Sequence, residues 1–139
     1  MDDPQRDGKT SGTTTLMPYW DRVASRYAAE DPLAAVCYPA APRWFNRFYA
    51  YFQVRSVTRL LAGEAFAGKR ALDVGCGSGR WSRFLRDRGA TVTGIDPTPA
   101  MLETATRLSP GVEFRRMSAT DIDLPDESVD FVLSVPVIQ

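Results

Sequence analysis

The stretch Arg70-Ala71-Leu72-Asp73-Val74-Gly75-Cys76-Gly77-Ser78-Gly79-Arg80-Trp81 constrains the fold more than any other part of the chain. Ala71 to Val74 form a short apolar run of strand type. Three alternating glycines then force a sharp turn, and Trp81 to Arg88 carry a helical pattern. Strand, glycine-rich turn and helix make the usual cradle for a nucleotide-like ligand. Glycine permits positive φ and lets a ligand approach the backbone where a Cβ would obstruct it. The free N–H groups at the start of the helix are expected to face that ligand. Spacing selects among ligands. A dinucleotide loop reads G-x-G-x-x-G, and a Walker loop ends in Gly-Lys-Ser/Thr. This loop reads Gly75-x-Gly77-x-Gly79 behind an acid, Asp73, which is badly placed for a pyrophosphate and well placed for a cation.

Downstream, Thr91-Val92-Thr93-Gly94-Ile95-Asp96 is β-rich and ends on an acid. An α/β nucleotide-binding sheet carries there the acid that accepts ribose hydroxyls. The alternative for Asp96 is a helix cap. Thr98, with Pro99 at the first helical position, is expected to cap the helix that runs to Leu108, leaving Asp96 free for a ribose. Val112 to Arg115 read as a third strand and Val129 to Ser134 as a fourth. Right-handed crossovers then give an α/β fold: a Rossmann-like three-layer sandwich with a parallel sheet in the order 3-2-1-4.

The preceding part divides in two. Residues 1–15 are polar and are expected to form a disordered tail. Pro18 suits the first position of a helix to about Ala29, with Trp20, Val23, Ala24, Tyr27 and Ala28 on one face. Asp31-Pro32 breaks it, and a proline-rich loop with room for one short turn runs to Ala41. Pro42 opens a second helix to about Leu61, stopped by Gly63, with an apolar face of Phe45, Phe48, Tyr49, Phe52 and Leu60, to which Val57 can be added. The aromatics from Tyr19 to Phe52 have two readings. One is core packing against the sheet edge; the other is a lid over a small-molecule pocket, carried by Tyr19, Trp20 and Tyr27. Arg43, Arg47, Arg55 and Arg59 read as a solvated face.

Composition excludes several function classes. The 139 residues make one domain at most, and 17 basic against 17 acidic residues give no general nucleic-acid footprint. Two cysteines are too few for a disulfide framework, which favours a reduced, cytoplasmic setting. No apolar run approaches membrane-spanning length, so no membrane partner is expected. With no histidine, any histidine base or metal ligand within this chain is excluded, and no metal site is expected.

The glycine stretch resembles motif I of the class I S-adenosylmethionine-dependent methyltransferases, roughly hydrophobic-Asp-x-Gly-x-Gly-x-Gly. The likeness extends from Tyr19 to Gln139, and Leu124-Pro125-Asp126-Glu127-Ser128-Val129-Asp130 is similar to a stretch common in the ubiquinone and menaquinone branch. The resemblance implies S-adenosyl-L-methionine as cofactor and methyl transfer to a small-molecule acceptor. It places Asp73, Gly75, Cys76, Gly77, Gly79, Asp96, Pro97, Met101, Ser118, Ala119 and Ser134 at the cofactor. It names no catalytic residue. In the family the turn after the third strand is often Asp-Ala, its Asp holding the adenine amino group. Here it is Ser118-Ala119, with Asp121 as a substitute. After the fourth strand comes Ser134-Val135-Pro136-Val137 rather than Asn/Asp-Pro-Pro-Tyr/Phe, which weighs against nucleobase or glutamine acceptors. The family's sheet continues with further strands. The expected organisation is therefore a partial domain over residues 16–139, with a helical lid or cap (16–66) and a cofactor-binding half (67–139), and with self-association through an exposed fourth strand. Two other classes stay open: a non-catalytic α/β cofactor-binding module, and a nicotinamide-dependent oxidoreductase half-domain, which the loop spacing and Asp73 oppose.

Overall fold

A computed structural model describes residues 13–28 and 30–135 of the chain. Three helices come first: α1 (Thr13–Tyr27), α2 (Pro32–Val36) and α3 (Arg43–Leu60). Then follow β1 (Arg70–Val74), α4 (Arg80–Arg86), β2 (Thr91–Asp96), α5 (Pro99–Leu108), β3 (Glu113–Arg116) and β4 (Phe131–Leu133). The strands form one parallel sheet in the order β3-β2-β1-β4, as the crossover rule required. In register, Ala71 lies opposite Val92 and Phe131, and Asp73 opposite Gly94 and Leu133.

Both faces of the sheet are covered, so its central strands are apolar on both sides. Ala71 and Val92 point to the face packed by Phe66, Trp81, Phe84 and Leu85. Leu72, Val74 and Ile95 point to the other, against Met117, Leu124 and Val129. Asp130 sets β4 beside β1. Its carboxylate accepts from the Arg70 backbone N–H at 2.8 Å and from Nε and Nη2 at 3.0 and 2.7 Å. That grip holds the Asp130 carboxyl below the usual carboxylate range.

The cap departs from expectation in three places. Helix α1 begins before Pro18, which lies inside it; residues 13–15, expected in a disordered tail, are helical, and residues 1–12 lie outside the described residues. The proline thus removes one backbone hydrogen bond inside the helix instead of opening it. Secondly, Asp31-Pro32 starts a helix. Asp31 Oδ1 accepts from the Ala34 N–H at 3.2 Å and Pro32 takes the first helical position, so the short turn expected within the loop is a helix of five residues, α2. Thirdly, α3 has the expected bounds and packs Val57 inward as expected, but Phe48, Phe52 and Leu60 of the expected face turn outward. Its buried residues are Asn46 and Ala50, with Val57 and then Leu61 packed on the core further along. Phe48, Phe52 and Leu60 are 57, 47 and 82% exposed. The reason is Asn46, 1% exposed, whose Nδ2 donates to the Tyr38 carbonyl while Oδ1 accepts from the Tyr38 N–H. A buried amide satisfied on both sides fixes the rotation of the helix.

Candidate functional site

The main cleft opens at the carboxyl ends of β1 and β2, under α1 and α2. Gly75, Cys76 and Gly77 line one side, and Asp96, Pro97 and Thr98 line another with Met101 of α5. Trp20 and Val36 contribute from the cap, Arg80 and Trp81 from the start of α4. This is the position at which open α/β sheets bind ligands.

Most of the loop's own N–H groups are engaged within the protein. Gly75 and Cys76 both donate to the Ile95 carbonyl, at 2.8 and 2.9 Å, Gly77 donates to Asp96 Oδ2 at 3.0 Å, and Gly79 to the Cys76 carbonyl at 2.9 Å. With these donors engaged inside the protein, the loop is a poor phosphate cradle. Helix α4, of seven residues, supplies no long dipole in compensation.

Asp96 is not left free. Thr98 occupies the N-cap position of α5 but makes no side-chain capping bond; instead its own N–H donates to Asp96 Oδ1 at 2.9 Å. Asp96 therefore staples the glycine loop to the start of α5. A carboxylate has about four lone-pair positions, so acceptor capacity remains on the side that faces the cleft. Burial pushes its pKa up, opposed by the N–H donors of Thr98 and Gly77.

Asp73 does not line the cleft. It is 1% exposed and its Oδ2 accepts from the Ser82 hydroxyl at 2.6 Å, pinning α4 to the end of β1. Burial raises its pKa to about 6, against the hydrogen bond from Ser82. Cys76 lies beside both acids. Burial, then Asp73 and Asp96, push the thiol up, so it stays protonated and serves as wall, not nucleophile. Gly79 also faces away from the cleft. Its φ is +76°, and a Cβ there would meet Ser109 Oγ at 2.8 Å, Phe114 Cζ at 3.0 Å and Ala105 Cβ at 3.1 Å. Its glycine serves close packing of α4 on α5 and β3. Gly77, at φ +51°, does face the cleft, yet its Cβ would first meet Val36 Cγ1 at 2.7 Å.

A second cleft adjoins the first at Pro97, lined also by Arg116, Met117, Ser118, Asp121 and Asp123. Ser118 Oγ shares a hydrogen bond with Thr120 Oγ1 at 2.8 Å, and Asp121 donates its N–H to the Ser118 carbonyl at 3.0 Å. Of the residues singled out in the sequence, Gly75, Cys76, Gly77, Asp96, Pro97, Met101 and Trp20 meet in the main cleft and Ser118 in the second. Ala119 lines neither cleft, and neither does Ser134, which is exposed while its neighbour Val135 lines the main one. Tyr19 is 43% exposed, edge-on to Trp20, and Tyr27 packs into the cap with Val23, Ala24 and Ala28. Sequence reasoning missed Arg80, Trp81, Val36 and Thr98. A cation directly after the last glycine was a visible signal; Val36 had none, because its helix was read as a loop.

Residues 72–139 match the family described as "Methyltransferase domain". Over these residues the chain is similar to that family. A malonyl-[acyl-carrier protein] O-methyltransferase of Serratia marcescens is 37% identical over 82 residues, 58% of this chain and 32% of that protein. A ubiquinone biosynthesis O-methyltransferase of Pseudomonas savastanoi pv. phaseolicola is 37% identical over 98 residues, 63% of this chain and 42% of that protein. The chain thus spans well under half the length of these relatives. A solved complex of DhpI with SAH superposes with a TM-score of 0.62 at 25% identity, over 87% of this chain and 52% of that one. The matched residues hold the glycine loop, the acid after β2 and, from Leu72 on, all four strands of the sheet.

Proposed function

We propose that the chain binds S-adenosyl-L-methionine across the two clefts and delivers its methyl group to a small-molecule acceptor. The observation that carries this reading is Asp96, held against the glycine loop by Gly77 and Thr98 with acceptor capacity left toward the cleft. Its role is to accept the ribose hydroxyls. Met101 and Pro97 give the apolar surface beside the ribose, and Ser118 or Asp121 contacts the adenine in the second cleft. The fit is further supported by buried, partnerless N–H donors on Arg80 and Trp81, two residues of the cleft wall.

The bound cofactor supplies an electrophilic methyl group on a sulfonium. The chain's own contribution is positioning and exclusion of water. Trp20, Val36 and Val135 close the cleft with apolar surface, and the protonated Cys76 offers no competing nucleophile. The engaged loop donors disfavour a dinucleotide. The two buried free cysteines, Cys37 and Cys76, fit a reduced, cytoplasmic setting, and no helix among the described residues is long and apolar enough to cross a membrane.

Isothermal titration with S-adenosylhomocysteine and with NAD tests the reading. Wild type should bind the first and not the second. Asp96→Ala should weaken binding about 10- to 150-fold, the effect of losing hydrogen bonds to a charged group of about 1.5–3 kcal/mol. An unchanged dissociation constant in a folded variant would remove Asp96 from the site.

A further inference from the structure

Among the described residues, Arg80 is the one cation in the wall of the main cleft. Its Nη2 donates to Gln53 Oε1 of α3 at 2.6 Å, and its guanidinium carbon lies 4.6 Å from the centre of the Trp81 ring. Those contacts fix the group but leave it incomplete. Among the described residues, Nε and Nη1 are buried without a hydrogen-bond partner, and no carboxylate lies within ion-pair distance. The Trp81 indole N–H, on a side chain of the same cleft 4% exposed, is also without an acceptor. Buried N–H donors and a buried charge are costly unless an acceptor meets them. Burial lowers the Arg80 pKa, while Cys37, Tyr49 and Asp73 pull it back; the group stays a cation.

We propose that Arg80, supported by Gln53 and with Trp81 Nε1 beside it, is the binding site for a carboxylate group of a ligand in the main cleft. The charge pattern chooses a carboxylate over a phosphate. Asp96 lines the same cleft and Asp73 lies beneath the loop, so a dianion would be repelled, while a monoanion can sit at the arginine alone. Acid on one side and arginine on the other also suit a zwitterion, its ammonium toward the acids. The carboxylate then belongs either to the amino-acid end of the cofactor or to the methyl acceptor. This inference rests on the cofactor reading above.

Titration of the full chain with S-adenosylhomocysteine and with its decarboxylated analogue tests the site. Wild type should bind the first about 10- to 100-fold more tightly. Arg80→Met should bind both alike, at the weaker level, and Arg80→Lys should keep part of the preference. Should wild type bind the two alike, acetate titrated onto the chain saturated with S-adenosylhomocysteine decides the source. Acetate binding to wild type and not to Arg80→Met assigns the carboxylate to the acceptor and upholds the site. Equal binding of the two nucleosides with no acetate binding overturns it. Failure of wild type to bind either nucleoside overturns the cofactor reading itself, and this inference with it. The comparison of two ligands on wild type needs no variant, so poor folding of Arg80→Met does not remove the test.

Discussion

Asp73 and Asp96 are both acids at strand ends by the glycine loop, and the structure separates their tasks by burial. Asp73 is held under the loop on Ser82, with a pKa raised to about 6. Because the folded state favours its protonated form, this group's contribution to stability is complete below the ordinary carboxylate value. It is lost as pH rises through about 6. Asp130 on the surface works the other way, its depressed carboxyl adding stability that is lost only at strongly acid pH. A variant isolates the buried term. Between pH 3.5 and 7.5 the unfolding free energy of Asp73→Asn, relative to wild type, should shift in the variant's favour by up to roughly 3 kcal/mol. Urea unfolding at a series of pH values measures this, and a difference independent of pH would contradict the elevated carboxyl. The sequence announced that an acid precedes the loop, but not which way it points. That depends on Ser82, nine residues on in α4, which no spacing rule singled out.

Among elements, the sheet was legible, and the cap only in the presence of its two long helices. Alternation, glycine and crossover handedness are local signals, and they placed the strands within two residues at their starts and gave their order. The face of α3 was misread because its pattern of aromatics is set outward by one buried amide, Asn46, whose partner Tyr38 lies in a loop. Helix α1 shows both aromatic readings at once. Val23, Ala24 and Ala28 are core against Ala35 and Met101, whereas Trp20 lines the cleft. If that helix also closes over the ligand, amide hydrogen exchange between Tyr19 and Tyr27 should slow when S-adenosylhomocysteine is added. Protection that is already high and does not change would make α1 a plain part of the core.

For the whole molecule, the two edges of the sheet differ. Strand β3 carries Glu113, Arg115 and Arg116, charges of the kind that discourage edge pairing. Strand β4 is Phe131-Val132-Leu133, pairs among the described residues with β1 alone, and leaves Val132 57% exposed. We expect light scattering to give a mass above that of one chain, and Val132→Lys to return it to the monomer. Should assembly survive that change, the outward aromatics of α3, with Trp44 68% and Tyr51 59% exposed, become the contact to test next. A monodisperse wild-type monomer would sink the expectation. Where α2 meets the glycine loop the fit is tight: a Cβ at 77 would lie 2.7 Å from Val36 Cγ1. Size at these two positions draws on the same space, so they should covary among chains of this kind. A side chain at 77 calls for a smaller residue at 36, and alanine at 36 should partly rescue alanine at 77. Rescue would be incomplete, since trimming Val36 relieves the collision and not the backbone cost of φ +51°. The middle glycine of the loop, which a sequence reader credits to the ligand, is thus constrained first by the chain's own helix α2.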